Sequence, residues 1–379
     1  MSARCRVLHV IDSLDLGGAQ VVLWNLLRYA DRERYEPEAA CMHGRGVFWE
    51  RLAATGVPVH SLSPHRLVPL YVPALARLIL TRHYDIIHCH LLAANLIAKP
   101  LAALLGVPVR INHDHCNDKP VDRRSWVVAA DRWTNRFSTH ICAVSESTRR
   151  FLVTEEGVEE SRVTTVHNGI DVALFQPRPE QRAEARKRWA LPDSAFVIAG
   201  IGRLIYQKNF ALFLEVAAGV LKRHPHAFFV LAGTGEDEAS LRAQTQRLGI
   251  AERVRFLGYV GEMTALYPAL DLLLLTSRYE GLPITILEAM ATGIPIVASQ
   301  LDGVAEVLRD GEDSALVTEG DGDGFVTHVG ELIQQPGLSR RYADAALTKV
   351  RAQHSAEGMT RAVEAVYARC LQREAPRVR

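Results

Sequence analysis

Short apolar runs alternate with longer stretches of helical periodicity along the whole chain. Apolar runs without polar alternation are typical of parallel strands whose two faces are both covered by helices. The chain is therefore predicted to have an α/β fold. The predicted strands are Arg6–Val10, Pro37–Met42, Pro58–Leu62, Ile86–His90, Val109–Asn112, Ile141–Val144 and Val163–Val166 in the first half, and Phe196–Ile201, Ala227–Leu231, Val254–Leu257, Leu272–Leu275, Ile294–Ala298 and Ala315–Val317 in the second.

A segment interrupted by prolines, Asp171–Glu180, separates the two groups of strands. The length of 379 residues agrees with two domains, since one domain commonly takes ~150 residues. We expect Rossmann-like domains over residues 1–176 and 177–354, and a final helix in residues 355–379 that packs back towards the first domain. Because ligands bind beyond the carboxyl ends of parallel strands, two such domains facing each other are expected to enclose a cleft.

Composition and charge exclude several classes of protein. The 48% of apolar and 23% of charged residues are ordinary for a globular protein, and the net charge of +1 gives no global attraction to nucleic acid. The six cysteines form no CxxC pair and no zinc spacing, which predicts reduced thiols and no metal site. The amino terminus lacks the apolar core of a secretory signal, and no apolar run approaches the ~20 residues of a membrane span, so a cytoplasmic protein is expected.

Two turns that follow predicted strands are suited to binding phosphate. Gly17 and Gly18 come after the first strand and open a helix, which lets a phosphate or sugar approach backbone N–H groups. Arg203 and Lys208 follow the strand that ends at Ile201. Arginine binds two phosphate oxygens in a fork and lysine acts as a point charge, so this pair suits a pyrophosphate. A plain strand-to-helix turn and a solvated basic turn remain open as simpler interpretations.

The most specific segment is EGLPITILEAMATG, over residues 280–293. Pro283 suits the first turn of a helix, whose free N–H groups attract anions. Glu280 and Glu288 would lie roughly 12 Å apart in a helix that rises ~1.5 Å per residue. That separation exceeds the distances of about 5–9.5 Å between the carboxyl groups of glycoside hydrolases, so we expect the two glutamates to contact a ligand separately.

This segment resembles the E-x7-E nucleotide-sugar signature of retaining GT-B glycosyltransferases, those of glycosyltransferase family 4. Further motifs occur in the order of that family: GGAQ, HCH, ICAVSES, VHNGID, GRLIYQKN, LAGTGE and VRFLGYV. The resemblance covers nearly the whole chain. It implies the GT-B fold and transfer of a sugar, with retention of anomeric configuration, from a UDP- or GDP-linked donor to a hydroxyl acceptor, with no metal and no cofactor.

The resemblance also implies roles for individual residues. Gly18 would face the donor phosphates from the first domain. Arg203 and Lys208 would hold the pyrophosphate. Glu288 would bind the ribose, and Glu280, as a catalytic residue, would contact the transferred sugar.

Four further positions complete the implied donor site. Gly258 and Tyr259 would lie near the base, and Gly281 and Leu282, at the helix end after Glu280, would help to hold the diphosphate. The chain departs from the family pattern at Asp302, where a glycine is usual, and this leaves the sugar specificity open.

A histidine is implied on the first-domain side of the reaction. In the segment RINHDHCN we align the family's sugar-facing histidine with His115, and His113 is the alternative. Such a histidine could hydrogen-bond the sugar or accept the acceptor's proton. His88 and His90 end a strand near the same edge and are expected to be structural.

Two stretches of the first domain, residues 65–82 and 122–137, mix basic and apolar residues. Trp126 and Trp133 are seven residues apart, so they share a helix face. Such a face suits an anionic lipid surface, which would place peripheral membrane contact in the N-terminal domain. The alternative is that the tryptophans pack on the sheet while the arginines are merely solvated.

Because members of this family commonly build such products, the resemblance implies assembly of a surface polysaccharide or glycolipid, such as lipopolysaccharide. The acceptor would be a glycan or lipid-linked molecule at the cytosolic face. Two other functions remain open: a nucleotide-sugar epimerase of the same fold and a non-catalytic protein that binds nucleotide sugars. No nucleic-acid partner is expected.

Overall fold

The computed structural model describes residues 4–15, 17–63, 68–115 and 125–374. The chain divides into two compact units: residues 1–169 together with 356–379, and residues 170–355. Each unit is a parallel α/β sheet, which confirms the predicted fold class. The thirteen predicted strands are all present in the described residues, with ends shifted by up to three positions.

The sheet of the first unit has the order β3-β2-β1-β4-β5-β6-β7 and is parallel throughout. Its strands are β1 (Cys5–Ser13), β2 (Tyr35–His43), β3 (Val59–Ser61), β4 (Ile86–His90), β5 (Val109–Asp114), β6 (His140–Ala143) and β7 (Val163–Thr165). Its helices are α1 (Gly18–Arg28), α2 (Trp49–Ala53), α3 (Val68–Arg82), α4 (Leu92–Leu104), α5 (Ser125–Thr134), α6 (Glu146–Thr154) and the last helix of the chain, α15 (Ala356–Glu374).

Strand alternation separates the two faces of this first sheet. Leu8 on β1 and Cys89 on β4 belong to a buried cluster formed with α3 and α4. Because successive side chains of a strand point to opposite faces, His9, His88 and His90 lie on the other face. That face is where α15 packs, since the Tyr367 hydroxyl lies 2.5 Å from Nδ1 of His88.

The second unit has a six-stranded parallel sheet of order β10-β9-β8-β11-β12-β13. Its strands are β8 (Phe196–Ile201), β9 (Ala227–Ala232), β10 (Val254–Gly258), β11 (Leu272–Leu275), β12 (Ile296–Ser299) and β13 (Ala315–Val317). Its helices are α7 (Arg182–Arg188), α8 (Phe210–Arg223), α9 (Glu238–Arg247), α10 (Met263–Leu266), α11 (Ile284–Ala291), α12 (Asp302–Ala305), α13 (Gly322–Gln334) and α14 (Pro336–Gln353).

The core of the second unit gathers apolar side chains from its sheet and from α8 and α13, with Phe213, Phe229 and Phe325 fully buried. This packing fixes the carboxyl ends of neighbouring strands, where the loops that carry the candidate site begin. Among the described residues, no helix combines the length and the apolarity that crossing a bilayer requires.

Candidate functional site

The loops after β8 and β9 meet backbone against backbone. Gly202 and Gly233 have φ of +150° and +144°, a region that favours glycine. A Cβ on Gly233 would lie 1.8 Å from the carbonyl oxygen of Gly202, and one on Gly235 would lie 2.1 Å from that of Leu204. The glycines of LAGTGE therefore allow a close approach of two loops.

Lys208, which is partly buried, and Glu280, which is buried, form an ion pair at the end of the sheet. Nζ of Lys208 lies 2.5 Å from Oε1 of Glu280, and both side chains are largely shielded from solvent. The hydroxyl of Ser277 donates to the same carboxylate oxygen at 2.7 Å. Ser277 was not singled out in the sequence, and its place three residues before Glu280 was the only signal for it.

The turn that carries Lys208 is held by side chains of the loop after β11. Lys208 ends a 3-10 turn, and Asn209 after it has φ of +50°, a left-handed conformation that asparagine tolerates better than most residues. The side chain of Arg278 donates to Oδ1 of Asn209 at 3.0 Å, and the Thr276 hydroxyl donates to its carbonyl at 3.1 Å. These bonds fix the direction in which Lys208 leaves the backbone.

Glu288 is buried on α11 and accepts a hydrogen bond of 2.8 Å from the Tyr267 hydroxyl. Burial, followed by the charge of Glu288, raises the pKa of Tyr267 well above its ordinary value, so Tyr267 stays protonated and donates. Pro283 occupies the N-cap position, immediately before the first residue of α11. The sequence pattern predicted it within the first turn of the helix. Glu280 and Glu288 thus have different partners.

The loop that leads into α11 is packed against helix α12. A Cβ on Gly303 would lie 1.7 Å from the carbonyl oxygen of Gly281, so glycine is needed at that contact. Leu282 is buried beside Gly281. Asp302, the departure from the family pattern, is exposed at the first position of α12.

The other residues predicted to bind the donor lie after strands or at the start of a helix. Arg203 is exposed after β8. Gly258 ends β10 with φ of +65°, and its carbonyl accepts from the N–H of Gly233 at 2.8 Å. Tyr259 follows and is exposed. Gly18 begins α1 in the first unit.

In the first unit, the structure places the histidines of β1, β4 and β5 in one cluster. Nε2 of His90 lies 3.1 Å from Nδ1 of His9, and Nδ1 of His90 lies 3.2 Å from Nε2 of His115. His113 is fully buried, whereas His115 is half-buried just after β5. His115 is therefore the more accessible of the two alternatives.

Burial makes these imidazoles poor bases. Desolvation lowers the pKa of His115 well below its ordinary value, and the charge of His113 lowers it further. Desolvation also lowers the pKa of His9 and of His113 to about 3. At neutral pH the rings are therefore uncharged, and each offers one donor and one lone pair.

Both tryptophans of α5 are exposed rather than packed on the sheet, Trp126 by 62% and Trp133 by 49%. The guanidinium of Arg136 stacks 4.8 Å from the ring centroid of Trp133. The ends of the two mixed stretches, residues 65–67 and 122–124, lie outside the described residues.

Comparison with known proteins finds similarity along most of the chain. The model of Glycosyltransferase Family 4 matches residues 16–174, and that of Glycosyl transferases group 1 matches residues 181–349. The chain is 31% identical over 244 residues to the lipopolysaccharide core biosynthesis mannosyltransferase LpcC of Rhizobium leguminosarum bv. viciae, covering 63% of this chain and 67% of that protein.

A second relative is the UDP-Gal:alpha-D-GlcNAc-diphosphoundecaprenol alpha-1,3-galactosyltransferase of Escherichia coli, at 27% identity over 260 residues and 67% of each chain. Among solved structures, Anabaena Alr3699/HepE in complex with UDP and glucose matches with a TM-score of 0.87 at 22% identity, over 96% of this chain and 100% of that one. This last similarity concerns the fold.

Proposed function

The chain belongs to family 4 of the glycosyltransferases, and on that premise we propose that it moves a sugar from a UDP- or GDP-linked donor to a hydroxyl acceptor with retention of anomeric configuration. The observation that carries the proposal is the ion pair of Lys208 and Glu280, largely shielded from solvent, at the carboxyl ends of adjacent strands. Ligands of open α/β sheets bind at that edge.

In this proposal the second unit binds the donor. Lys208 and the exposed Arg203 supply positive charge to the diphosphate, and the free N–H groups at the start of α11 add their partial charges. Gly281 and Leu282, in the loop that leads into α11, would lie against the diphosphate. These groups are already oriented before the reaction, so they stabilise the negative charge that develops on the departing diphosphate. This is electrostatic preorganisation.

The two glutamates have separate tasks. Glu288, held by Tyr267, accepts the ribose hydroxyls, and Glu280, held by Lys208 and Ser277, accepts a hydroxyl of the transferred sugar. Neither is proposed as a covalent nucleophile, so the acceptor hydroxyl attacks the anomeric carbon on the face that the diphosphate leaves. The bond from that carbon to the diphosphate oxygen breaks, and the departing diphosphate takes up the hydroxyl proton.

His115 is proposed to hydrogen-bond the sugar. Its lowered pKa keeps the ring neutral, and a ring of low pKa is a weak proton acceptor, so the hydrogen-bonding role suits it better than that of general base.

We further propose a lipid-linked or glycan acceptor of surface polysaccharide or lipopolysaccharide assembly. The support is the similarity to the two relatives, one a lipopolysaccharide core mannosyltransferase and the other a galactosyltransferase that acts on a diphosphoundecaprenol-linked sugar. Exposed Trp126 and Trp133 would hold the N-terminal unit at an anionic bilayer at the cytosolic face, with arginines towards the headgroups.

Transfer is tested by incubating the purified chain with a panel of UDP- and GDP-sugars and saccharides linked to diphosphoundecaprenol. Mass spectrometry detects the product and nuclear magnetic resonance gives its anomeric configuration. We expect a product that keeps the donor's configuration, and Glu280→Gln lowers turnover by about a hundredfold. The matched control is Glu262→Gln, an exposed glutamate of the same unit.

Three results contradict this proposal in distinguishable ways. Inversion at the anomeric carbon rejects the retaining course. Conversion of the donor to an epimer without acceptor identifies an epimerase. Donor binding without turnover on any acceptor identifies a non-catalytic binding protein.

Membrane contact is tested by co-sedimentation with phosphatidylglycerol vesicles. We expect Trp126→Ser/Trp133→Ser to weaken binding by about tenfold or more, because both apolar rings are lost from the interface. Leu248→Ser, which removes an exposed apolar side chain from the second unit, serves as control. Equal sedimentation of the tryptophan variant and the wild type rejects the contact.

A further inference from the structure

Five histidines of the first unit form a continuous stack, and the proposed transfer reaction uses only one of them, His115. We call His9, His88, His90, His113 and His115 the histidine cluster. Three strands supply it, because parallel register pairs His9 with His88 and His90 with His113 across neighbouring strands. Ring centroids of neighbours in the stack lie 4.4–5.4 Å apart.

The cluster contains ring nitrogens that are buried without a hydrogen-bond partner. His113 has none at either Nδ1 or Nε2, and His88 has none at Nε2. An unsatisfied buried polar atom costs ~1–3 kcal/mol, so such groups are rare in folded proteins unless something binds them. In a neutral imidazole, one of the two nitrogens carries an in-plane lone pair, which is the ligand form for a metal.

We propose that His90, His113 and His115 bind a divalent transition-metal ion of the zinc class, His115 through its Nε2, which leaves its Nδ1 for the hydrogen bond to the sugar. One ring nitrogen of each lies within 4.8 Å of the other two. Nδ1 of His90 and Nε2 of His115 are 3.2 Å apart, close to the ~3.3 Å edge of a tetrahedron with Zn–N bonds of about 2.0–2.1 Å. Imidazole nitrogen suits zinc, copper, nickel and cobalt and disfavours calcium and magnesium.

The surroundings of His90 support ligation through its Nδ1. Its other nitrogen, Nε2, lies 3.1 Å from Nδ1 of His9 and can donate its proton there. A donated bond from the far nitrogen fixes the tautomer and orientation of metal-bound histidines generally. His9 would therefore be a positioning residue for the ion.

A second set, His9, His88 and His90, also has ring nitrogens within 4.8 Å of one another. Access from solvent favours the first set. The second set is buried throughout, and His88 is already engaged by Tyr367. His115 is half-buried, so an ion can reach it from solvent and keep a water molecule in a fourth position. The rings of His113 and His115 stack nearly parallel, at 7°, so coordination requires them to turn until their lone pairs converge.

Binding is measured on the full, tag-free chain after dialysis against EDTA, so the test does not depend on any transfer activity. We titrate Co²⁺ and follow the visible d–d absorption of a four-coordinate ion, then displace it with Zn²⁺. One Co²⁺ per chain, displaced by one Zn²⁺, is expected. Absence of stoichiometric Co²⁺ binding by the wild type overturns the proposal.

Two variants locate the ion. His113→Leu is expected to weaken Co²⁺ binding by about a hundredfold, whereas His88→Leu, an equally buried histidine of the same cluster, keeps wild-type affinity. Loss of binding in His88→Leu with retention in His113→Leu overturns the proposed set. Circular dichroism checks the fold, and if His113→Leu fails to fold, His115→Gln at the half-buried position takes its place with the same expectation.

Discussion

The ammonium of Lys208 lies 2.5 Å from the carboxylate of Glu280, although 72 residues separate the two along the chain. Lys208 follows β8 and Glu280 follows β11, and these strands are neighbours in the sheet. The group proposed to hold the diphosphate is thereby fixed by the group proposed to contact the sugar. A donor that binds here shares Lys208 with Glu280, so each side chain depends on the other.

Removing Lys208 alone should destabilise the second unit. Lys208→Met leaves the buried carboxylate of Glu280 without its cation, which costs ~3–5 kcal/mol for buried pairs of this kind. Urea denaturation measures the loss. The double variant Lys208→Met/Glu280→Gln should recover most of it, and Lys222→Met, at an exposed lysine, should stay near wild type. Equal stability of Lys208→Met and the wild type contradicts the pairing.

Tyr267 is expected to govern nucleotide binding through Glu288. Tyr267→Phe removes the hydrogen bond to the buried carboxylate, and a bond to a charged group contributes ~1.5–3 kcal/mol. Calorimetry should show donor affinity lower by about tenfold or more. Tyr342→Phe, another buried tyrosine of this unit, is the control. An unchanged affinity of Tyr267→Phe for the donor would contradict a role of Glu288 in donor binding.

Close loop packing makes one glycine intolerant of a side chain. Gly233→Ala places a methyl group 1.8 Å from the Gly202 carbonyl and imposes a φ of +144° on alanine. We expect a lower melting temperature together with weaker donor binding. Gly337→Ala, with nothing within 4 Å in helix α14, should be neutral or stabilising by up to ~1 kcal/mol. Similar melting temperatures for the two variants would refute the packing described.

The folded protein is expected to lose stability in mild acid, and His140 is one cause. Desolvation lowers the pKa of His140 to about 4, and nearby Arg369, Arg373 and Arg162 lower it further. Between pH 6.5 and about 4 the unfolded chain binds a proton that the folded chain does not, so stability decreases as pH falls through this window.

Melting temperatures measured from pH 7.5 down to about 4.5 check this dependence. His140→Gln should give a shallower decline than the wild type, while His83→Gln, at an exposed histidine of the same unit, should follow the wild type. A decline in His140→Gln as steep as that of the wild type would remove His140 as a cause.

Much of the fold followed from the sequence because its strands are apolar on both faces. Leu272–Leu275 and Phe196–Ile201, for example, have the predicted ends. Polar strand ends such as His43, the last residue of β2, were missed, since they continue the hydrogen bonding of a strand without its apolar pattern. Pro283 was expected in the first turn of α11 but precedes the helix. Proline is tolerated at both positions, because neither requires its backbone nitrogen to donate a hydrogen bond within the helix.

The contacts within the candidate sites were less predictable. Tyr267 reaches Glu288 from a 3-10 turn 21 residues earlier, a separation that no periodicity marks. His9 joins His90 because β1 and β4 are neighbours, which is a matter of strand order and register. The sequence therefore placed His88 and His90 near the edge of His113 and His115, but it gave no sign that His9 joins them.

The central claim is that Lys208 and Glu288 of the second unit bind a nucleotide diphosphate sugar, and ligand-dependent melting tests it most directly. With UDP-, GDP- and ADP-sugars at ~100 times Kd, the wild type should melt about 5 °C or more higher with one base class. Glu288→Gln should lose most of that shift, and Glu262→Gln should keep it. No shift with any sugar nucleotide, or an undiminished shift in Glu288→Gln, would contradict the account.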